Sequence, residues 1–405
     1  MNKIIRIGIL KETKIPPDRR VPFSPRQIRK LKGQFPQAVF CLQPSEIRCF
    51  ADYEYEDSGV ELKTDLSDCN ILIGIKEILS STLIHGKTYM FFSHTGKMQP
   101  HNRKLLQEMA VRKITLIDYE YLTDQNNNRL VAFGRWAGIV GAYNGLRAYG
   151  ERYRLYQLKP AHQCFNFEEM QKELQKVQLS PIKILITGGG RVAGGAMEIL
   201  GYLNIREVKP EDYLSNNFNE PVMCRIDPWH YVRRKGGSEF SMNHFIAYPD
   251  HYESTFKPYT KVTDLLMACH YWDPTSPVFM NTADMKEPDF RIKVIADISC
   301  DINGSIPSTI RTSSIEKPFY GYKALTGTET PPFDPGSITV MAVDNLPGEL
   351  PRDASEYFGE MLIEKVIPAL LEGDTEGTIN KATILRKGRL STRFSYLRDY
   401  LKGNN

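Results

Sequence analysis

One short segment restricts the fold of this chain more than any other part of it. An apolar stretch, Ile182–Ile186, is followed by the pattern Gly188-x-Gly190-x-x-Ala193, and a helix is predicted from about Gly194. In such a pattern the first glycine permits a tight turn, the second lets the backbone approach a pyrophosphate, and the third small residue allows helix and strand to pack closely. The N-terminus of the helix then favours an anion. The segment predicts a dinucleotide-binding turn, with a purely structural turn as the alternative.

The residues predicted to contact the dinucleotide are Gly188, Gly190, Arg191, Val192 and Ala193. In this kind of unit an acidic residue about 20 positions further on holds the ribose hydroxyls. Three acidic residues lie near that distance, and none of them ends an obvious strand: Glu207, Glu211 and Asp212. The sequence therefore predicts NAD or NADP as the cofactor and leaves the choice between them open.

Short apolar runs recur along the chain and alternate with polar segments of helical character. The predicted strands are Ile4–Leu10, Val39–Leu42, Ile71–Ile75, Tyr89–Phe92, Thr115–Asp118, Ile182–Ile186, Asp264–Ala268 and Lys293–Ile298. This alternation is typical of open, mostly parallel sheets with helices on both faces. Because the pattern restarts after residue 180, and 405 residues exceed what one core usually holds, we predict an α/β fold. It should contain two Rossmann-like domains with mostly parallel sheets and a cleft between them.

Two long helices are also predicted. The first is Trp136–Tyr149, whose small residues, among them Gly138, should let it pack closely against a neighbour. The second runs from Arg352 to Leu371, with a kink near Pro368 because proline lacks a backbone N–H. Residues 208–260 are rich in Asn, Pro, His, Tyr and charge, and their pattern indicates no definite element.

The composition excludes several classes of function. Lys and Arg number 52 against 48 Asp and Glu, and this balance argues against a nucleic-acid-binding protein, whose basic residues gather on one face. No apolar run approaches the roughly 20 residues of a membrane span, and the first residues lack the pattern of a signal peptide. The seven cysteines contain no Cys-x-x-Cys motif and are expected to be free thiols. We expect a cytoplasmic protein that acts on small molecules, and homo-oligomerisation is left open.

Ionisable residues follow several of the predicted strands, at the edge where open α/β sheets place their ligands. They are Arg20, Lys76, His94, Glu120 and Asp301. Each one alone is more simply interpreted as a solvated loop residue or a salt-bridge partner. Together, in a chain with a nucleotide-binding turn, they supply the acid–base pair and the cations that amine–carbonyl redox chemistry needs.

Other kinds of site have weaker support in the sequence. One group of metal-binding residue types is Cys224, His230, His244 and His251, but its spacing fits no common zinc pattern, so no metal is predicted. The chain also contains neither a Gly-x-Ser-x-Gly elbow nor a P-loop, which argues against an esterase or a P-loop nucleotidase.

Several motifs resemble, in their order along the chain, those of a known superfamily. They are Lys11-Glu-Thr, Arg20-Val-Pro-Phe-Ser-Pro, Gly74-Ile-Lys-Glu, Phe91-Phe-Ser-His-Thr, Asp118-Tyr-Glu, Arg129-Leu-Val-Ala-Phe-Gly, Asp297-Ile-Ser-Cys-Asp-Ile-Asn-Gly-Ser and Val343-Asp-Asn-Leu-Pro-Gly-Glu-Leu-Pro-Arg-Asp-Ala-Ser. Together they resemble the superfamily of alanine dehydrogenase and lysine-forming saccharopine dehydrogenase. Within it, the chain is most similar to the lysine–ketoglutarate reductase branch.

The resemblance implies two domains and an NAD(P)-dependent reaction on amino-acid and 2-oxo-acid substrates. Residues 1–135 with 315–405 would form the catalytic domain, and residues 136–314 the dinucleotide-binding domain. The implied reaction is the reductive condensation of L-lysine with 2-oxoglutarate to saccharopine, or its reverse. Two alternatives are kept: an alanine dehydrogenase or other amino-acid or opine dehydrogenase on the same scaffold, and a non-catalytic NAD(P)-binding regulator.

The resemblance also implies the two groups that move protons. Lys76 matches the base that takes the proton from the attacking amine. His94 matches the acid that protonates the carbonyl-derived oxygen as water leaves.

Four further residues match positions that bind substrate or tune the site. Arg20 and Arg129 match positions that hold substrate carboxylates, for which a guanidinium fork is well shaped. Glu120 matches a carboxylate that tunes Lys76 or the substrate amine, and Asp301 matches an acidic residue near the nicotinamide.

Overall fold

The computed structural model describes residues 4–403, in which strands and helices alternate along most of the chain. The strands are β1 (Ile5–Ile9), β2 (Ala38–Leu42), β3 (Glu61–Leu62), β4 (Ile71–Ile73), β5 (Thr88–Phe91), β6 (Thr115–Asp118), β7 (Lys183–Thr187), β8 (Arg206–Glu207), β9 (Val222–Ile226), β10 (Val232–Arg234), β11 (Tyr252–Ser254), β12 (Leu265–Ala268), β13 (Val294–Asp297), β14 (Phe319–Lys323), β15 (Thr328–Thr330), β16 (Ile338–Met341), β17 (Thr383–Arg386) and β18 (Arg389–Leu390). The helices are α1 (Pro25–Gln34), α2 (Asp52–Glu56), α3 (Arg103–Val111), α4 (Gly134–Tyr153), α5 (Phe167–Leu174), α6 (Arg191–Tyr202), α7 (Pro210–Ser215), α8 (Pro228–Tyr231), α9 (Met242–Ala247), α10 (Lys257–Thr260), α11 (Pro351–Lys365), α12 (Ile367–Leu371), α13 (Thr378–Ala382) and α14 (Arg398–Lys402).

The chain divides into two compact units. The first is built from residues up to Phe133 and from Pro351 onward, and the second is Gly134–Leu350. The boundary predicted at residue 315 needs a correction. Residues 315–350 carry β14, β15 and β16, and β16 pairs in parallel with β13 of the second unit. Backbone pairing therefore ties this segment to the second sheet, and the chain returns to the first unit only at Pro351.

The first unit contains a sheet of eight strands in the order β18-β17-β6-β5-β4-β1-β2-β3. Strands β1 to β6 are parallel, and β17 pairs antiparallel with β6. The inner strands are buried on both faces, which is why they appear in the sequence as short continuous apolar runs. The strand order reverses at β1, which has β2 on one side and β4 on the other. Such a switch point is where open α/β sheets bind ligands, beyond the carboxyl ends of the strands.

The second unit contains another eight-stranded sheet, in the order β15-β14-β16-β13-β12-β7-β9-β8. Six of its strands are parallel, and β14 and β15 add an antiparallel edge. Here the order reverses at β7, between β9 and β12. The prediction of an α/β fold with two mostly parallel Rossmann-like sheets is confirmed.

The helices α4 and α6 of the second unit lie against each other at glycine contacts. A Cβ atom on Gly138 would overlap the carbonyl oxygen of Val192, and one on Gly195 would overlap the carbonyl oxygen of Arg135. Only a residue without a side chain permits backbones to approach this closely. The expectation that small residues let this helix pack closely is confirmed.

Two parts of the chain differ from the sequence-based predictions. The long C-terminal helix is interrupted at Val366, which separates α11 from α12. Pro368 lies in the first turn of α12, where its missing N–H costs no hydrogen bond. Within residues 208–260, which had no prediction, β9 is a fully paired strand next to β7. Arg225 interrupts its apolar run, and this partly polar pattern hid the strand.

Residues 4–403 contain neither a membrane-spanning helix nor a cluster of metal ligands. No helix in this range is long and apolar enough to cross a membrane. Within the same residues, no group of three or more His, Cys, Asp or Glu side chains is arranged to hold a metal ion.

Candidate functional site

The glycine turn lies at the carboxyl end of β7, at the switch point of the second sheet. Gly188 has a φ of +91°, and a Cβ atom there would be 2.9 Å from the Cα of His270. Gly190 is the N-cap of α6 and has open space where a Cβ would be. No side chain in the described part of the chain caps this helix, so the N–H groups of its first turn are directed toward that space. This arrangement fits a pyrophosphate.

The three residues that follow the glycines form the first turn of α6. Arg191 is exposed, Val192 is half-buried, and Ala193 is completely buried. Ala193 therefore acts as the small residue that allows the helix to pack closely. A bound phosphate would lie against the backbone of this turn and within reach of Arg191.

An acidic residue that the sequence analysis missed lies beside the turn. Asp227 directly follows β9, and its Oδ1 would be 2.6 Å from a Cβ on Gly189. Both of its carboxylate oxygens lie 2.7 Å from Nη1 of Arg225. An acid at the end of the strand next to the glycine strand is the group that holds a ribose hydroxyl, and an arginine nearby accommodates a 2′-phosphate.

The three acids considered from the sequence lie elsewhere. Glu207 is exposed on β8, one strand beyond β9, and Glu211 and Asp212 belong to α7. The signal for Asp227 was present in the sequence as an apolar run ending in Ile-Asp-Pro. It lies further from the glycines than the usual spacing because β8 and α7 intervene.

A buried histidine contacts the end of the strand that leads into the glycine turn. His270 follows β12, and its two ring nitrogens lie 2.8 Å from the hydroxyls of Thr187 and Ser305. Burial lowers the pKa of His270 to about 3, so the ring is neutral at physiological pH. His270 thus holds the end of β7 as a neutral hydrogen-bonding group, a role that its position in the sequence did not indicate.

The candidate acid–base residues lie at the carboxyl edge of the first sheet. Lys76 follows β4, and its backbone N–H donates to Oε2 of Glu12 at 3.0 Å, while the N–H of Ile75 donates to Oε1 at 2.6 Å. Burial, followed by the positive charges of Arg20 and Lys14, lowers the pKa of Lys76 to about 8. A lysine whose pKa lies this close to neutral pH is suited to act as a base.

Glu12 itself was not singled out by the sequence analysis. Burial raises its pKa to about 8, against the lowering effect of the two backbone N–H groups. A carboxyl in this position fixes the backbone on which Lys76 is placed.

His94 follows β5 and contacts a carboxylate from the neighbouring loop. Its Nδ1 lies 3.3 Å from Oε2 of Glu77, and Nζ of Lys14 lies 2.9 Å from Oε1 of the same residue. Burial would raise the pKa of Glu77, but the hydrogen bonds from His94 and Lys14 lower it to about 2. Glu77 is therefore an anion that orients His94, and because it directly follows Lys76 it keeps the two candidate acid–base residues near each other.

Arg20 was expected to bind a substrate carboxylate, and in the structure it binds the carboxylate of Asp18. Its guanidinium is 3% exposed, donates to both oxygens of Asp18 (Nε to Oδ1 at 2.9 Å, Nη2 to Oδ2 at 2.6 Å), and lies 4.2 Å from the ring centre of Phe133. Burial would raise the pKa of Asp18, but Arg20 lowers it below its usual range. Arg20 therefore contacts Asp18 in this conformation and contributes its charge to the surroundings of Lys76.

Glu120 and Arg129 lie together after β6. Oε1 of Glu120 is 2.8 Å from Nζ of Lys97 and 3.9 Å from Nη1 of Arg129, whereas its buried Oε2 has no hydrogen-bond partner among residues 4–403. The Arg129 guanidinium lies 5.9 Å from the ring centre of Phe92 and is partly exposed. An anionic substrate can approach Arg129 and Lys97, and an N–H donor can satisfy Glu120.

Asp301 lies in the second unit, after β13. It is partly buried, and burial followed by the charge of Asp297 raises its pKa. Asp297 is almost fully buried and accepts hydrogen bonds from Ser299 at 2.6 Å and from Thr309. Because β13 neighbours β12, Asp301 lies at the same edge of the sheet as the glycine turn.

The structure thus forms two groups from the predicted residues. Lys76, His94, Glu120 and Arg129 follow adjacent strands of the first sheet, with Arg20 next to them. The glycine turn and Asp301 share the carboxyl edge of the second sheet. This grouping follows from parallel strand order, since all carboxyl ends of parallel strands meet at one edge.

Known proteins resemble this chain over most of its length. The pattern of the family described as "Alanine dehydrogenase/PNT, N-terminal domain" matches residues 8–140. The chain is 30% identical to the alpha-aminoadipic semialdehyde synthase of Arabidopsis thaliana, with 98% of this chain aligned but only 42% of that protein. It is 28% identical to the saccharopine dehydrogenase [NAD(+), L-lysine-forming] of Emericella nidulans, over 82% of this chain and 83% of that one.

A solved structure supports the same fold. An L-alanine dehydrogenase superposes with a TM-score of 0.66 at 16% identity, covering 98% of this chain and all of the other. The motifs in the sequence and the matches to these relatives agree. The chain therefore belongs to the superfamily of alanine dehydrogenase and lysine-forming saccharopine dehydrogenase.

Proposed function

We propose that this chain is an NAD(P)-dependent dehydrogenase that condenses L-lysine with 2-oxoglutarate to saccharopine by reduction, or runs the reverse oxidation. The observation that carries the proposal is a half-buried amine, Lys76, with a pKa lowered to about 8, beside the Glu77–His94 pair. The names of the plant and fungal relatives support the substrate class. This chain spans 42% of the length of the plant relative.

The residues of the second unit fit a dinucleotide. The Gly188–Gly190 turn and the uncapped start of α6 would hold the pyrophosphate, and Asp227 with Arg225 would contact the adenosine ribose. When bound, NAD(P)H supplies the hydride that reduces the new carbon–nitrogen bond.

The residues of the first unit would carry the proton transfers. As the lysine amine forms a bond to the keto carbon, neutral Lys76 accepts a proton from its nitrogen. His94, oriented by Glu77, donates a proton to the carbonyl-derived oxygen to form a hydroxyl group, and a second proton, from solvent, lets that hydroxyl leave as water. Arg129 would bind a substrate carboxylate, and the free Oε2 of Glu120 would accept a hydrogen bond from the amine.

The pH dependence of this reaction has a defined direction. Lys76 can accept a proton only when neutral, so kcat/KM for condensation is expected to rise with pH around a midpoint near 8. The midpoint lies below the ordinary lysine value of 10.5 because burial penalises the ammonium form. The measurement is a pH profile at saturating NADH or NADPH. A midpoint near 10.5, or one near 8 that persists in Lys76→Met, would contradict the assignment.

The choice between NADH and NADPH is expected to depend on Asp227 and Arg225. Asp227→Asn removes a negative charge and releases Arg225 for a 2′-phosphate, so the ratio of kcat/KM for NADPH over NADH should rise by about 10-fold, the effect of one charged hydrogen bond. Arg225→Gln should move the ratio the other way. If neither substitution changes the ratio, the adenosine ribose binds elsewhere.

The proposed function is tested by following NADH and NADPH absorbance with 2-oxoglutarate, with and without lysine. Oxidation that requires lysine supports the proposal and identifies the preferred cofactor. Oxidation with pyruvate and ammonia, but not with lysine, would indicate an alanine-type dehydrogenase. Cofactor binding without turnover of any oxo acid and amine would indicate a regulator.

A further inference from the structure

The loop that carries His94 has an unusual backbone. In this segment, residues 94–99, called the His94 loop, His94 has a φ of 53° and Met98 a φ of 55°. Residues other than glycine rarely adopt this left-handed conformation, and they keep it only where surrounding contacts enforce it. Such contacts must therefore hold the His94 loop.

The contacts come from the far C-terminal part of the chain. Residues 392–402, called the C-terminal clamp, form a 3₁₀ turn, Thr392–Leu397, and then α14. The Tyr396 hydroxyl donates to the carbonyl oxygen of Gly96 at 2.8 Å, and the Tyr400 hydroxyl donates to that of Gln99 at 2.5 Å. Two side chains of the clamp thus bind the backbone of the His94 loop directly.

Tyr396 also reaches the segment that carries Glu120. The hydroxyls of Tyr396 and Tyr121 interact, and Tyr121 is the residue directly after Glu120. The ring of Phe394, also in the clamp, meets the Tyr121 ring edge-on at 4.8 Å. A Cβ atom on Gly96 would overlap the Tyr121 hydroxyl, so the His94 loop and the Glu120 turn are in contact at this point.

We propose that Tyr396 is a positioning residue, whose hydroxyl holds the His94 loop and the Glu120 turn in register for the reaction. One residue that the hydroxyl contacts is Gly96, two positions after His94. The other is Tyr121, one position after Glu120. Its removal leaves both segments folded and the Lys97–Glu120 contact in place, but it loosens the position of the His94 loop relative to the Glu120 turn. The inference rests on the proposed function for its kinetic readout.

The test is Tyr396→Phe, which removes only the hydroxyl. We expect kcat to fall by about 10-fold, because misplacing a catalytic group by a fraction of an ångström to 1 Å costs up to about 100-fold. The dissociation constant of the dinucleotide and the melting temperature should stay unchanged. Amide hydrogen exchange of a peptide covering residues 94–99 should become faster than in the unsubstituted protein. Tyr53→Phe, on a side chain that is 65% exposed, is the matched control and should change none of these quantities.

Each outcome decides the proposal. An unchanged kcat, or exchange at residues 94–99 that is no faster, overturns it. A parallel loss of kcat, dinucleotide affinity and melting temperature also overturns it, because the hydroxyl would then serve general stability. If the unsubstituted protein turns over neither lysine with 2-oxoglutarate nor any other pair, the proposed function fails. The exchange measurement then decides alone whether Tyr396 holds the His94 loop.

Discussion

Replacing Lys76 with methionine is expected to lower kcat by about 10²–10⁴-fold, the usual contribution of one acid–base group. Methionine keeps a similar length and apolar stem, so the loss isolates the amine. In the folded chain, burial makes the ammonium form of Lys76 unfavourable, as the lowered pKa shows. Removing that charge should therefore leave the melting temperature at neutral pH unchanged or higher. The measurement is lysine-dependent oxidation of NAD(P)H together with thermal unfolding.

A matched control for this substitution is Lys104→Met, on the exposed face of α3. It changes the same residue type in the same unit and should leave kcat unchanged. If Lys76→Met keeps a rate within a few-fold of the unsubstituted protein, Lys76 has no part in proton transfer, and the base must be sought elsewhere at this edge of the sheet.

Replacing Gly190 with valine is expected to abolish dinucleotide binding while the protein stays folded. An added Cβ at Gly190 meets no protein atom within 4 Å, and the backbone there is in the extended region that valine readily adopts. The valine methyl groups would instead occupy the space in which the pyrophosphate approaches the backbone. A loss of affinity of at least about 100-fold is expected, because the phosphate contacts of the whole turn depend on that approach. Calorimetric titration with NADH and NADPH measures it.

The control is Gly201→Val, near the C-terminal end of the same helix, where a Cβ also meets no atom within 4 Å. It should leave the affinity unchanged. Gly188 is a less suitable position, since its φ of +91° and its closeness to His270 would make any side chain disturb the fold as well. Unchanged affinity in Gly190→Val would mean that the dinucleotide does not bind at this turn.

Much of the fold was predictable because parallel strands are buried on both faces. Apolar runs such as Ile71–Ile75 and Thr115–Asp118 correspond to β4 and β6 within two residues. The strand β9 escaped prediction because Arg225, which contacts Asp227 beside the glycine turn, breaks the apolar pattern. The assignment of residues 315–350 to the first unit was wrong, because β16 pairs with β13 of the second sheet. Nothing local in their sequence indicates which sheet they pair with.

The sequence by itself determined the local features of this protein: the glycine turn, the apolar strands and the ordered motifs that carry Lys76 and His94. These depend on steric and burial requirements that act over a few neighbouring residues. Only the tertiary structure decided that Asp227 lies beside the glycine turn, that Glu12 holds the backbone of Lys76 from 64 positions away, and that Tyr396 binds Gly96 across 300 positions. Such contacts depend on strand order and on the path of the chain between units. No spacing within one segment encodes them, because they exist only once the sheets have formed.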